Sequence, residues 1–251
     1  MEYLKIREAN ASDMKPVLKF CQNTFSWGDY VDHVWNFWLD EGHLFLSEKS
    51  SPIGICHAFY SENQAWIEGI RVDSNFRHQK IASQLVKHAE NIGKDLNALS
   101  SYMLIDIENA ASLSMSNSLD YHVFQNWNFY SLEPKVAPNY DVQFEKCLDR
   151  QLYSHYVKSW RWLPIDNDKL ASFYLQKNIV RSGTGNEQSL AILSTSDHFE
   201  RTLIVTLFSN FDYSTLQILS FLQNYSVKNN YERIQILTQE KLPVFNSLEY
   251  R

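Results

Sequence analysis

An alternating run, Ala65–Val72 (AWIEGIRV), passes through a short loop into a helix-patterned run, Lys80–Leu96 (KIASQLVKHAENIGKDL). Apolar residues at every second position mark a strand, and spacing near 3.6 marks a helix. A strand ending on a loop that opens a helix commits the chain to mixed α/β architecture. It also suggests a chemistry. The first amides of a helix have no internal partner and the helix dipole is positive there, so a phosphate is favoured at that end. The loop carries Arg77, His78, Gln79 and Lys80 and has no glycine, in a chain with only 7.

The flanking segments extend the pattern. Tyr3–Ala9 alternates as a strand. Ser12–Phe25 reads as a helix with Val17, Leu18, Cys21 and Phe25 on one face, and Tyr30–Gly42 as a second helix that Gly42 stops. His43–Asp73 reads as three strands, with turns at Ser50-Ser51-Pro52 and Glu62-Asn63-Gln64. Ser101–Glu108 (SYMLIDIE) is expected as a buried strand, Asn109–Tyr121 as a short helix and His122–Leu132 as a closing strand. The order over residues 1–133 is β-α-α-β-β-β-α-β-α-β.

The two-proline stretch EPKVAPNYD follows as a linker, so the expected domains are 1–133 and 134–251. The second is expected to open on a helix-rich segment at about 144–176. Strands SLAILSTS and RTLIVTLFS, a helix over Tyr213–Asn230 and the strand RIQILT come next. Two words recur across the halves. SNF at Ser74–Phe76 returns at Ser209–Phe211, and NSLDY at Asn117–Tyr121 returns as NSLEY at Asn246–Tyr250. Each copy holds the same place in its half, which predicts two related domains. After the second SNF stands Asp212, where the first has Arg77. An aspartate there repels a phosphate, so the second copy reads as degenerate.

Composition narrows the function classes. A net charge of −6 without a clustered basic face excludes a nucleic-acid footprint. Three cysteines, far apart and without a CxxC pair, predict free thiols in a reducing cytoplasm rather than a zinc ribbon or disulfide framework. The eight histidines, His33, His43 and His57 among them, show no ligand spacing and read as ordinary residues, so no metal is expected. The first residues lack the apolar core of a signal peptide, and no run approaches the roughly 18 apolar residues of a membrane span. Oligomeric state stays open between monomer and homodimer.

With these residues in place, the first half resembles the GCN5-related N-acetyltransferases (GNAT superfamily). The stretch IRVDSNFRHQKIASQLV is similar to that family's acetyl-CoA motif, a strand ending in Val followed by (Gln/Arg)-x-x-Gly-x-(Gly/Ala). Arg77 and Ala82 match, and Lys80 departs at the glycine. After the next strand, Asn109 and Ser112 match the family's spacing. Ser116 stands in place of the usual tyrosine, and Asp120-Tyr121 in place of Gly-Phe. The element order matches over about 133 residues, and the second half joins through the repeated words.

The resemblance implies the acyl-CoA N-acyltransferase fold, a mixed, mostly antiparallel sheet flanked by helices, in tandem with a degenerate second copy. It implies acetyl-CoA as co-substrate and a primary amine as acceptor, with direct attack in a ternary complex. The cofactor-binding set is Ile70, Arg71, Val72, Arg77, His78, Gln79, Lys80, Ile81, Ala82, Ser83 and Asn109. Amide donation survives without the glycine provided Lys80 stays near the right-handed helical region. The competing readings are a solvated loop and a lost site.

Alternation places Glu68, Ile70 and Val72 on one face. In the family this strand bulges and splays from its neighbour, and a backbone N–H near Ile70 polarises the thioester carbonyl. Gly69 favours such a bulge. Glu68 is the candidate base and Ser116 holds the position of the general acid, with Tyr60 or Tyr121 as substitutes. The loop FSWGDYV offers Trp27, Asp29 and Tyr30 for the acceptor. The rival reading is a non-catalytic protein that senses coenzyme A or an amino acid.

Overall fold

The computed structural model describes residues 4–22, 24, 28–137, 139–241, 243–247 and 249–250. The chain divides into two compact units, 1–122 and 123–251.

The first unit contains β1 (Lys5–Glu8), α1 (Met14–Cys21), α2 (Val31–Glu41), β2 (Leu44–Glu48), β3 (Pro52–Ser61), β4 (Gln64–Val72), α3 (Ile81–Asp95), β5 (Ser100–Tyr102) and α4 (Ala110–Asn117). The strands form one sheet in the order β1-β2-β3-β4-β5. All pairs are antiparallel except β4–β5, which is parallel. Alternation on β2 sends Leu44 and Leu46 toward α1 and α2, where they meet Val17, Val34, Trp35 and Trp38. Phe45 points the other way, into a core with Ile67 and with Ile81, Leu85 and Ala89 of α3. The expected helix stop holds, since the Gly42 amide closes α2 by donating to the Trp38 carbonyl at 3.0 Å.

The second unit contains β6 (Asn128–Leu132), β7 (Gln143–Phe144), β8 (His155–Lys158), β9 (Arg161–Pro164), α5 (Asn167–Gln176), β10 (Ile179–Ser182), β11 (Ser189–Thr195), β12 (Thr202–Phe208), α6 (Asp212–Lys228), β13 (Arg233–Thr238) and β14 (Glu249–Tyr250). Among the described residues, seven strands form its sheet in the order β14-β6-β13-β12-β11-β10-β7, with β12–β13 parallel and the other pairs antiparallel. Helix α6 packs Ile218, Leu219 and Leu222 on one face. The β8–β9 hairpin takes the other, through Val157 N–H to Thr206 Oγ1 at 2.7 Å and Ser194 Oγ–H to the Val157 carbonyl at 2.8 Å.

The repeat is visible in the topology. In each unit an antiparallel pair (β3–β4, β11–β12) leads through Ser-Asn-Phe into a helix (α3, α6), and the next strand (β5, β13) returns parallel. Both sheets are mixed, mainly antiparallel and flanked by helices.

Three expectations change. Asn128–Leu132, read as the closing strand of a first domain ending at 133, lies in the second sheet between β13 and β14. Its inward residues Tyr130 and Leu132 join the second core, and Tyr130 stacks on Phe245 at 4.3 Å. Alternation shows that a strand exists but does not name its neighbour. SYMLIDIE is not a buried strand. Only Ser100–Tyr102 pairs, and Leu104 and Ile107 are exposed. Finally, 144–176 is not helix-rich. A hairpin precedes α5, turning at Ser159 and Trp160 with φ of 51° and 66°. Such turns normally carry Asn or Gly, so the usual sign of a hairpin was missing.

Candidate active site

Strand β4 organises the site. It pairs with β5 only at Gln64↔Ser100, Ala65↔Ser101 and Trp66↔Tyr102, then runs on to Val72 without β5 beside it. A gap therefore opens on that side from Ile67 onward. On the other side His57 opposes Glu68 and Ile55 opposes Arg71, so the single residue Cys56 faces two, Gly69 and Ile70. That is the expected bulge. Gly69 adopts φ +64°, and a Cβ there would lie 2.3 Å from Trp38 Cη2. Dihedral and space both require glycine.

The bulge overturns the shared face expected for Glu68, Ile70 and Val72. The inserted residue shifts the alternation by one. Ile70 and Val72 pack with Ile67 in the α3-side core. Glu68 joins Trp66 on the α2 side, and Trp66 Nε1–H donates to Glu68 Oε2 at 3.2 Å. Glu68 Oε1 lies 3.0 Å from His57 Nδ1. His57 is fully buried, its Nε2 is 3.0 Å from the Gly42 carbonyl, and Glu41 Oε2 is 3.4 Å from the same nitrogen. The imidazole stacks on Trp38 at 5.0 Å and 7°.

Of the acceptor-loop residues, Trp27 lies outside the described residues. Asp29 is not available to a cationic acceptor. Its carboxylate accepts from Arg71 Nε at 2.7 Å and Arg71 Nη2 at 3.1 Å, and also from the Tyr30 amide at 2.8 Å. The Arg71 side chain is thereby directed at Asp29, and its guanidinium lies 5.2 Å from the Tyr30 ring centroid. Tyr30 meets Trp38 edge-on at 6.1 Å. Burial raises its hydroxyl pKa; Arg71 opposes the rise and the Glu68 charge adds to it.

The opening loop is exposed from Arg77 to Lys80. Asp73 caps the Ser74–Phe76 turn through the Asn75 amide at 2.9 Å. Lys80 is not near the right-handed region. It sits at φ 60°, ψ 18°, and His78 at φ 62°. Lysine thus adopts the left-handed conformation that glycine takes more readily, at a cost of roughly 1–2 kcal/mol. No side chain caps α3. The Gln84 amide is the first to reach back, to the Lys80 carbonyl at 3.0 Å. The preceding amides of Ile81, Ala82 and Ser83 head the helix, as an anion cradle requires. Arg77 and Gln79 flank it.

Other candidates are engaged locally. Asn109 caps α4 by accepting from the Ser112 amide at 3.1 Å. Ser116 is buried and donates to the Leu113 carbonyl at 2.9 Å. Tyr60 donates to the Ala89 carbonyl at 2.7 Å, and Tyr121 to Glu90 Oε1 at 2.8 Å. Burial pushes the Cys21 thiol up to about 12, and it also raises that of Cys56. Both stay protonated at neutral pH. Among the described residues, no group of three or more His, Cys, Asp or Glu is arranged to hold a metal ion, and no helix is long and apolar enough to cross a membrane.

The second unit places a hydroxyl cluster beside the equivalent helix start. At the start of α6, Ser189 Oγ contacts Ser214 Oγ at 2.9 Å and Thr215 Oγ1 at 3.0 Å, while accepting from the Asn210 amide at 3.1 Å. Helix α6, like α3, has no side-chain cap, and it carries the acidic Asp212 in its first turn.

His57, Glu41, Trp38 and Trp66 were not singled out as site residues. The available signal was one histidine inside the apolar strand GICHAFY. Its meaning depends on the register that sets it opposite Glu68.

Residues 13–121 match the model of the acetyltransferase (GNAT) family. No curated protein matches the chain. Among solved structures, a GCN5-related N-acetyltransferase from Sphaerobacter thermophilus covers 99% of this chain and 92% of its own, at 10% identity and a TM-score of 0.66. A provisionally assigned acetyltransferase from Thermoplasma acidophilum covers 98% and 95%, at 15% identity and a TM-score of 0.65. Both are likenesses of fold, and each spans the two units.

Proposed function

We propose that the protein moves an acetyl group from acetyl-CoA to a primary amine by direct attack in a ternary complex, a reading supported by the match of residues 13–121 to the acetyltransferase (GNAT) family model. The observation that carries this reading is strand β4 itself: it bulges at Gly69–Ile70, holds Glu68 beside the bulge, and leads to the amide-headed helix α3.

In this mechanism the coenzyme pyrophosphate sits on the amides of Ile81, Ala82 and Ser83, with Lys80, Arg77 and the helix dipole balancing its charge. The thioester enters the gap between β4 and β5, and the amide at Ile70 stabilises the developing oxyanion. The acceptor arrives as an ammonium. Glu68 takes one proton, the freed nitrogen forms the C–N bond, and the C–S bond breaks with its electron pair on sulfur. The nitrogen's second proton goes to the thiolate, and the Glu68 proton returns to solvent. A free thiol titrates near roughly 8.5, so the thiolate departs at neutral pH without a dedicated acid. Ser116, held on the Leu113 carbonyl, is not needed for that step. The buried thiols Cys21 and Cys56 form no acyl intermediate.

The rival, a protein that binds coenzyme A without turnover, draws support from the local engagement of Asn109 and Ser116. Calorimetric titration of acetyl-CoA into the wild type and Arg77→Glu tests the cradle, and acetylation of spermidine and lysine by the wild type and Glu68→Gln tests the chemistry. We expect Arg77→Glu to weaken binding. Glu68→Gln is expected to lower kcat by about 10²–10⁴-fold with binding intact. Binding without acetylation favours the rival, and no binding to the wild type overturns both.

A further inference from the structure

We propose that His57 is an imidazolium whose Nδ1–H fixes Glu68 in place, making His57 the positioning residue of the catalytic base. This rests on Glu68 acting as the base.

The argument begins with a count of protons. His57 Nε2 lies 3.0 Å from the Gly42 carbonyl oxygen. A carbonyl only accepts, so Nε2 carries a hydrogen. Nδ1 lies 3.0 Å from Glu68 Oε1. A base rests ionised, and an ionised carboxylate only accepts, so with Glu68 as the base this contact needs a proton on Nδ1. Two hydrogen-bearing ring nitrogens make an imidazolium.

The surroundings agree. An unpaired buried charge is costly, but this ring stands between two carboxylates, with Glu41 Oε2 3.4 Å from Nε2. The parallel Trp38 ring at 5.0 Å adds the attraction of an aromatic face for a cation. The side chain of His57 is fully buried, so water does not substitute for these partners.

The position is set by the backbone. His57 and Glu68 are register partners across β3 and β4, immediately before the bulge. One carboxylate oxygen is held from β3 by His57 and the other from within β4 by Trp66 Nε1. The carboxylate is thus oriented by two donors on rigid strands, the arrangement that holds a catalytic group to productive geometry.

The test has two arms. In 15N-histidine-labelled wild-type protein, nuclear magnetic resonance should show both His57 ring nitrogens protonated, and the Nδ1 proton should be lost in Glu68→Gln. A His57 ring with a single N–H overturns the proposal, whether or not the protein acetylates amines. The kinetic arm compares His57→Gln, which keeps a donor near the Nε2 position, with His57→Asn, which keeps one near Nδ1. With spermidine as acceptor, kcat should fall about tenfold or more in His57→Gln, part of the roughly 10²–10⁴ that a positioned base supplies. KM for acetyl-CoA should hold, and His57→Asn should recover part of the loss. An active wild type with kcat unchanged in His57→Gln refutes the proposal. So does an equal loss in both variants that accompanies a loss of acetyl-CoA binding. A wild type that acetylates neither spermidine nor lysine counts against the transferase reading, and the resonance arm still decides the imidazolium.

Discussion

Replacing Gly69 by alanine tests the bulge directly. Gly69 sits at φ +64°, and an added Cβ would approach Trp38 Cη2 to 2.3 Å and Cζ3 to 2.7 Å. The dihedral alone costs roughly 1 kcal/mol for an L-residue. The clash adds about 1–3 kcal/mol, the usual cost of overpacking. Trp38 cannot swing aside, because it is fully buried and stacked on His57. The expected loss is therefore about 2–4 kcal/mol. Urea unfolding followed by fluorescence measures it as a shift in midpoint at constant slope. The two terms separate in a double-mutant cycle with Trp38→Phe, which removes the ring atoms that the new methyl would strike. In that background Gly69→Ala should cost only the dihedral term, near 1 kcal/mol, giving a coupling of about 1–3 kcal/mol. An equal cost in both backgrounds would refute the account of Gly69 as a residue fitted against Trp38.

Other outcomes follow from the same geometry. Lys80→Gly should stabilise the protein by about 0.5–1 kcal/mol, since relief of left-handed strain outweighs the entropy glycine gains when unfolded; a fall in the unfolding midpoint would contradict this. Asp29→Ala leaves Arg71 without its carboxylate in a buried setting and should cost about 3–5 kcal/mol. The double variant Asp29→Ala/Arg71→Met should recover much of that loss in thermal melts. Arg7 donates to Asp13 Oδ2 at 2.7 Å and Oδ1 at 2.9 Å, and these bonds hold the Asp13 carboxyl below its ordinary range. A depressed carboxyl contributes its stability above the unfolded value and loses it as the pH falls toward the folded one. Wild-type stability should therefore drop more steeply below roughly pH 4 than that of Asp13→Asn, and parallel curves in acid denaturation would exclude the pair as a contributor.

The resemblance carried the choice of base as far as Glu68, and alternation alone then misplaced its face. Period two holds only while the ladder is regular, and one extra residue at Gly69–Ile70 moved Ile70 and Val72 to the opposite side of the sheet from Glu68. Asp29 looked like a cation receptor because its charge is legible while its partner is not. Arg71 is 42 residues away in sequence and bonds it in the fold. Lys80 was read as a departure from glycine, yet the backbone at that point keeps a glycine-like dihedral.

Local pattern determined the existence and kind of most elements, the stop at Gly42, the repeated Ser-Asn-Phe junctions and the loop that opens helix α3. Each of these depends on residues within a turn or two of one another. The tertiary structure decided what depends on distant partners. It assigned Asn128–Leu132 to the second sheet and left β5 short. It also set the phase of β4 and brought a buried histidine onto the carboxylate of Glu68. A side chain's chemistry is written in the chain, but its hydrogen-bond partners, and hence its protonation and role, are set by which strand lies opposite and in which register.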